Sequence, residues 1–217
     1  MRSKTALQQA NFKFSEVKQL FYFKHGIAHP LAYGRYNPTT KMGMLRIPKN
    51  ACSATCSTIA DDNGFNHTNL LTVRHSVETC IIILRDPLLR FKSAVNMYLG
   101  DRSFSNGITI EEIGTRKYTI KEWWNKDKFS SNEHFYLQSR FVWLAKQALP
   151  NAKFDFFYMG SDNNIALDLQ NKYNFVDIPS HTINKSMNIA TTFNEEIIKS
   201  IYKEDYKLIK STTFENI

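Results

Sequence analysis

Residues 79–94 read TCIIILRDPLLRFKSA. Ile81, Ile82, Ile83 and Leu84 are four consecutive branched apolar residues. Such a run fits a strand covered on both faces, as in a parallel sheet. Arg85 closes it, and Asp86-Pro87 follows as the N-cap and first position of a helix. The Asp carboxylate can accept from free N–H groups of the first turn, and Pro has no N–H to leave unpaired there. The predicted helix carries Leu88, Leu89, Phe91, Val95, Tyr98 and Leu99 and ends near Gly100. Arg85 therefore stands at a strand C-terminus, the edge at which α/β sheets bind ligands.

Upstream, residues 42–58 read MGMLRIPKNACSATCST. The apolar run Met42 to Ile47 predicts the first strand, and Pro48 stops it. Lys49 follows, then the small residues Asn50, Ala51, Cys52, Ser53, Ala54 and Thr55. A helix is predicted from about Ser53 to Ala60, ended by Asp61-Asp62-Asn63-Gly64. A strand, a tight turn of small side chains and a helix N-terminus carrying Lys and hydroxyls make an anion cradle. Free N–H groups and the positive helix end point at the ligand, and Lys adds a full charge. The loop is not a Walker A, because Lys49 comes first and no Gly lies between Pro48 and Thr58.

Residues 153–159, KFDFFYM, predict a third strand, with a helix from Asp162 to Tyr173 behind it. Glu133 to Ala148 predicts one helix ended by Pro150, and Asn194 to Lys210 another. Tyr118 to Lys126 resembles a short helix. Residues 65–78 are expected to be a polar connection, and residues 101–117 and 177–192 to be loops. No element is assigned in residues 1–40 beyond a short helix around Ser15 to Phe21. Strands alternating with helices predict an α/β fold, a parallel β-sheet flanked by helices. At 217 residues the chain is long enough for a real core and is expected to be a single domain.

The net charge of +8 and pI near 9.3 suit a polyanionic ligand. The basic residues are dispersed, with no run of five, so a nucleic-acid partner is not indicated. Three cysteines, Cys52, Cys56 and Cys80, do not make a disulfide framework, and no zinc-ligand pattern surrounds them. No stretch reaches 18 apolar residues and the N-terminus has no apolar signal core. The expectation is a soluble cytoplasmic protein without stable membrane insertion.

The order Pro48-Lys49-x-x-x-Ser53 resembles the 5′-phosphosulfate loop of sulfotransferases that use 3′-phosphoadenosine 5′-phosphosulfate (PAPS). The form I-P-K-N-A-C-S is most similar to the branch that includes the Golgi carbohydrate sulfotransferases, although Cys52 stands where Gly is usual. I-I-I-L-R-D-P-L-L-R-F-K-S-A resembles that family's 3′-phosphate motif, an Arg ending a strand and a Ser eight residues later, here Arg85 and Ser93. Glu133-His134-Phe135-Tyr136-Leu137-Gln138 resembles the H-x-x-P-Q segment near the acceptor, with Leu137 in place of Pro. Ile183-Asn184-Lys185-Ser186 resembles an N-K-S loop near the cofactor, and Tyr202 to Tyr206 the closing Y-x-x-D-[YF] helix. The likeness spans residues 42–210.

The resemblance implies a P-loop-kinase-like sulfotransferase fold. It implies transfer of a sulfuryl group from PAPS to a hydroxyl acceptor, a carbohydrate, with release of 3′,5′-adenosine bisphosphate and no metal. On this basis Lys49 is the catalytic cation. Asn50, Ala51, Cys52, Ser53, Ala54 and Thr55 hold the 5′-phosphate, Arg85 and Ser93 the 3′-phosphate, and Lys185 and Ser186 the cofactor. His134 and Gln138 meet the acceptor. For the general base the family's order favours His67, with His75 as the alternative and Glu78 and His134 behind them. A nucleotide-dependent kinase of related fold and a non-catalytic polyanion-binding module are the other classes open to this chain.

Overall fold

The computed structural model describes residues 32–50, 63–100, 133–160, 164–175 and 195–216. Within them, five strands form one sheet: β1 (Tyr33–Asn37), β2 (Met42–Leu45), β3 (Asn66–Asn69), β4 (Thr79–Arg85) and β5 (Lys153–Met159). The helices are α1 (Pro87–Gly100), α2 (Gln138–Ala148), α3 (Ile165–Tyr173), α4 (Glu195–Ile201) and α5 (Lys203–Ser211), with a 3-10 turn at Glu133–Phe135.

The strand order is β3-β1-β2-β4-β5. β4 occupies its predicted span and pairs in parallel with β2 on one side and β5 on the other. Its side chains alternate between two cores. Cys80, Ile82 and Leu84 pack with Leu45, Ile47 and the α2 residues Phe141, Val142, Leu144 and Ala145. Ile81 and Ile83 pack with Met44, Phe65, Phe157 and the α3 residues Ile165, Ala166 and Leu169. Helices on both faces explain why β4 has no polar side. A third core joins Phe91, Ala94 and Val95 of α1 to Phe135, Ile198 and Tyr202.

The sheet is mixed, not wholly parallel as expected. β1 pairs antiparallel with both β2 and β3. The four residues between β1 and β2 can make only a hairpin, since a parallel crossover needs a dozen or more. Asn37 Oδ1 closes that turn by accepting from the Thr39 and Thr40 N–H groups, 2.8 and 3.0 Å. Residues 65–78 are likewise not all connection, because they contain β3.

Asp86 caps α1 as predicted, its Oδ1 accepting from Leu89 N–H at 2.9 Å. The helix expected over 133–148 is interrupted. Leu137 has φ −60° and ψ 134°, so the 3-10 turn ends and α2 starts anew at Gln138. The helix expected over 194–210 divides into α4 and α5 at Tyr202. That side chain is fully buried, and its hydroxyl donates to Phe135 O at 2.8 Å. The helices predicted over 53–60 and 118–126 and the loops at 101–117 and 177–192 lie outside the described residues.

β5 is an edge strand, and the C-terminal segment lies along it. Glu215 N–H donates to Phe156 O (2.8 Å). Asn216 Oδ1 accepts from Tyr158 N–H (2.9 Å) while its Nδ2 donates to Tyr158 O (3.0 Å). Behind β5, Tyr173 at the end of α3 donates its hydroxyl to the buried Asp155 Oδ2 at 2.6 Å.

In the hairpin, a Cβ added at Gly34 would collide with the Met44 carbonyl oxygen. Gly34→Ala must therefore push β1 from β2, and a loss of about 1–3 kcal/mol is expected. Urea unfolding measures it, and an unchanged midpoint would show that the hairpin is looser than described.

Candidate functional site

The C-terminal ends of β2 and β4 lie side by side, and the two basic motifs meet there. After β2 the chain turns through Ile47-Pro48-Lys49-Asn50, closed by Asn50 N–H donating to Ile47 O at 3.1 Å. Pro48 takes the second position of the turn, where its fixed φ is favourable. Lys49 takes the third with φ +68°, a value such turns ordinarily give to Gly. A side chain in this region is strained by about 1–3 kcal/mol, and strain of this kind concentrates at functional sites.

Three side chains pin the turn to β4 and α1. Arg85 Nη1 donates to Lys49 O (3.1 Å), and Arg90 Nε donates to Pro48 O (3.0 Å). Asn50 Nδ2 donates to Ile83 O (2.8 Å) and to Gln138 Oε1. Arg90 is fully buried and also donates through Nη1 to Tyr136 O at 2.7 Å. It thus ties the Pro48 turn to the segment that carries His134.

His134 stands in the 3-10 turn before α2, half-buried. Burial first, then the charges of Lys49, Arg46 and Arg90, lower its pKa to about 4. The imidazole is therefore neutral near pH 7, a state in which one ring nitrogen can accept a proton. Arg85 is also pressed downward, by burial and then by Arg90, with Asp86 opposing. An Arg remains charged regardless, and one bond to Lys49 O leaves most of its five donors for a ligand. Both nearby carboxylates are already bonded to backbone: Asp86, which acts on Arg85, caps α1, and the buried Asp205, which acts on Arg90, accepts from Gln138 and Ser139 N–H, each at 2.9 Å. Burial pushes the Asp205 carboxyl above the usual range, against the pull of those N–H groups and of Arg90.

Ser93 is half-buried on α1. Asp86, Arg90 and Ser93 are spaced i, i+4, i+7, so Ser93 lies on the face that Arg90 turns to the Pro48 loop. Lys49, Arg85, Ser93 and His134 thus belong to one end of the sheet. Asn50 belongs there too, but its N–H closes the turn and its side chain is 3% exposed, so it builds the loop from behind. Its Oδ1 is buried with no hydrogen-bond partner. Ala51, Cys52, Ser53, Ala54, Thr55, Lys185 and Ser186 lie outside the described residues.

Four of the expected site residues lie elsewhere than on the ligand side of this cluster. His67 pairs with Arg35 on β3, the far edge of the sheet, level with Met44 and Ile81. That is three strands from β4, about 14 Å, and four residues short of Arg85, about 13 Å along the strand. His75 is exposed, accepts from its neighbour Arg74 (3.1 Å), and lies on the segment entering β4, opposite the Arg85 end. Glu78 is at that same entry and is paired with Lys41. Gln138 is fully buried behind the loop, bonded to Arg85 N–H (2.9 Å) and Arg85 O (2.8 Å), and so does not face an acceptor. Leu137 has φ −60°, a value within the range that Pro also adopts.

Arg46 and Arg90 were not singled out from sequence. Arg90 could have been, since it follows the helix-capping Asp86 by four residues and so shares its face. Among the described residues no three His, Cys, Asp or Glu side chains converge as metal ligands, and no helix is long and apolar enough to cross a membrane. No protein-family model, curated protein or solved structure matches the chain.

Lys49→Gly removes the ammonium and relieves the strained φ together. Thermal stability should hold or rise, by up to about 1 kcal/mol, while affinity for inorganic pyrophosphate falls. A marked loss of stability would mean that the Lys49 side chain serves the fold.

Proposed function

We propose that this chain is a PAPS-dependent sulfotransferase of the carbohydrate type, acting on a hydroxyl acceptor. The observation that carries the proposal is the meeting of the Lys49 turn and the Arg85 strand end at adjacent parallel strands, with His134 near enough to feel the charge of Lys49. A cationic cluster suits the 5′-phosphosulfate and 3′-phosphate of the donor, and a neutral imidazole beside it suits a hydroxyl that must lose its proton.

Sulfuryl transfer passes through a loose transition state like that of phosphoryl transfer, so the protein's work is positioning and neutralisation. In this mechanism the acceptor oxygen bonds to sulfur as the bond from sulfur to the bridging oxygen breaks. Lys49 offsets the charge developing on that oxygen, which leaves with 3′,5′-adenosine bisphosphate. His134 takes the acceptor's proton. Arg85 and Ser93 hold the 3′-phosphate, which distinguishes the donor from ATP.

Thermal melting with 3′,5′-adenosine bisphosphate, ATP and 5′-AMP tests the donor site. At 100 times its Kd a ligand adds about 2.7 kcal/mol, a rise of about 5–10 °C for a chain this size. The rise is expected for the bisphosphate and not for ATP, and Arg85→Ala should abolish it. A response to Mg-ATP alone would make the protein a kinase. Absence of any response would leave a binding module.

Histidine NMR tests the proposed base. His134 should titrate near pH 4 in the free protein. Bound bisphosphate should raise that value, because its charge offsets Lys49, Arg46 and Arg90. The unfolded chain takes the proton near the ordinary 6.5, so this group makes stability fall as pH drops from about 6.5 to 4. An ordinary titration unaffected by the bisphosphate would remove His134 from the mechanism.

A further inference from the structure

One buried side chain touches both basic segments from behind. Gln138 Oε1 accepts from Arg85 N–H at 2.9 Å and from Asn50 Nδ2, and its Nε2 donates to Arg85 O at 2.8 Å. The amide pairs with the last residue of β4 much as a neighbouring strand would, and holds the Pro48 turn with the same oxygen. Its own backbone is held in turn. Asp205 Oδ2 accepts from Gln138 N–H and Oδ1 from Ser139 N–H, both at 2.9 Å, which fixes the first turn of α2. Gln138 and Asp205 are both fully buried, so neither can contact a ligand at the surface.

We propose that Gln138 is a positioning residue that sets the separation between the Lys49 turn and the Arg85 strand end, with Asp205 fixing Gln138 in place. The site then selects a ligand by the distance between two anionic groups on one molecule. This rests on the proposed function, in which the two segments hold the 5′- and 3′-phosphates of one nucleotide. A ligand with two anchors gains over one with a single anchor only when the anchors match the spacing of their sites. Lys49 and Arg85 each supply charge without Gln138. Without Gln138 the spacing between them is left to the Arg85–Lys49 O and Asn50–Ile83 O bonds, and the two-anchor advantage is what should shrink.

The experiment compares the full wild-type chain with Gln138→Met and Asp205→Asn. Affinities for 3′,5′-adenosine bisphosphate, 5′-AMP and 3′-AMP are measured by calorimetry at one salt concentration, with the folded fraction checked by circular dichroism. In Gln138→Met the bisphosphate should weaken about tenfold or more, and each monophosphate by less than about threefold. Asp205→Asn keeps one of the two acceptor oxygens, so the same selective loss should be smaller. It supplies the readout if Gln138→Met does not fold. An unchanged ratio of bisphosphate to monophosphate affinity overturns the inference, whether all three affinities persist or all fall by one factor. A wild-type chain that does not prefer the bisphosphate overturns the donor-site proposal itself, and the inference with it. A wild-type preference retained in the variants overturns the inference alone.

Discussion

A buried amide has to be bonded at both ends, since water is not there to replace a missing partner. Gln138 meets that demand with the backbone of Arg85 and the side chain of Asn50, and so joins three parts of the chain that are remote in sequence. The remaining ties follow the same logic. Arg85 and Arg90 hold successive carbonyls of the Pro48 turn, and Asp205 holds the start of α2. Each is a charged side chain bonded to backbone, stronger than a neutral pair and directional. Asn50 Oδ1 is left buried and unbonded, at a cost of about 1–3 kcal/mol. It adjoins Lys49 with its left-handed backbone. A left-handed non-glycine backbone and a buried unbonded oxygen thus sit side by side in the basic motif.

The centre of the fold was legible because its residues are of one kind. Ile81 to Leu84 have no polar alternative to burial, and Asp86-Pro87 marks where the strand becomes a helix. β1 was not legible, because YGRYN has a Gly, a buried Arg35 and a turn-forming Asn37 in place of an apolar alternation. Gly34 is there because a neighbouring carbonyl leaves no space for a side chain. That is a property of the paired strands, not of β1 alone. The breaks at Leu137 and Tyr202 were hidden for a related reason. Both residues suit a helix locally, and tertiary bonds involving their neighbours decide otherwise.

For the site, the sequence supplied the residue types and the ends of the strands, and missed distance. The strand-end positions of Lys49 and Arg85 were legible because one comes just after and the other closes a strand whose direction the fold class implies. His67 was favoured from its order along the chain, but β3 returns to the far edge of the sheet, where chain order and spatial order part. His134 is held toward the basic cluster by tertiary bonds to its turn, from Arg90 to the Tyr136 carbonyl and from Tyr202 to the Phe135 carbonyl. Gln138 shows the limit of motif reading most plainly. The residue type was noticed, while its burial, and so its side of the loop, was not visible in one dimension.

The last described residues carry a consequence for how copies of the protein behave together. β5 reads KFDFFYM, a largely aromatic strand at the margin of a sheet. Bare strands of this composition invite pairing with another chain, the route to ordered aggregates. Here Glu215 and Asn216 occupy the outward hydrogen-bonding groups of Phe156 and Tyr158, and Asn216 reaches on to Asp168 Oδ2 at 2.7 Å. Two polar residues thus act as a selvedge on the sheet. A chain trimmed back to Thr212 would keep its basic motifs, yet it would offer neighbouring molecules an open seam, and colloidal behaviour would change before chemistry did.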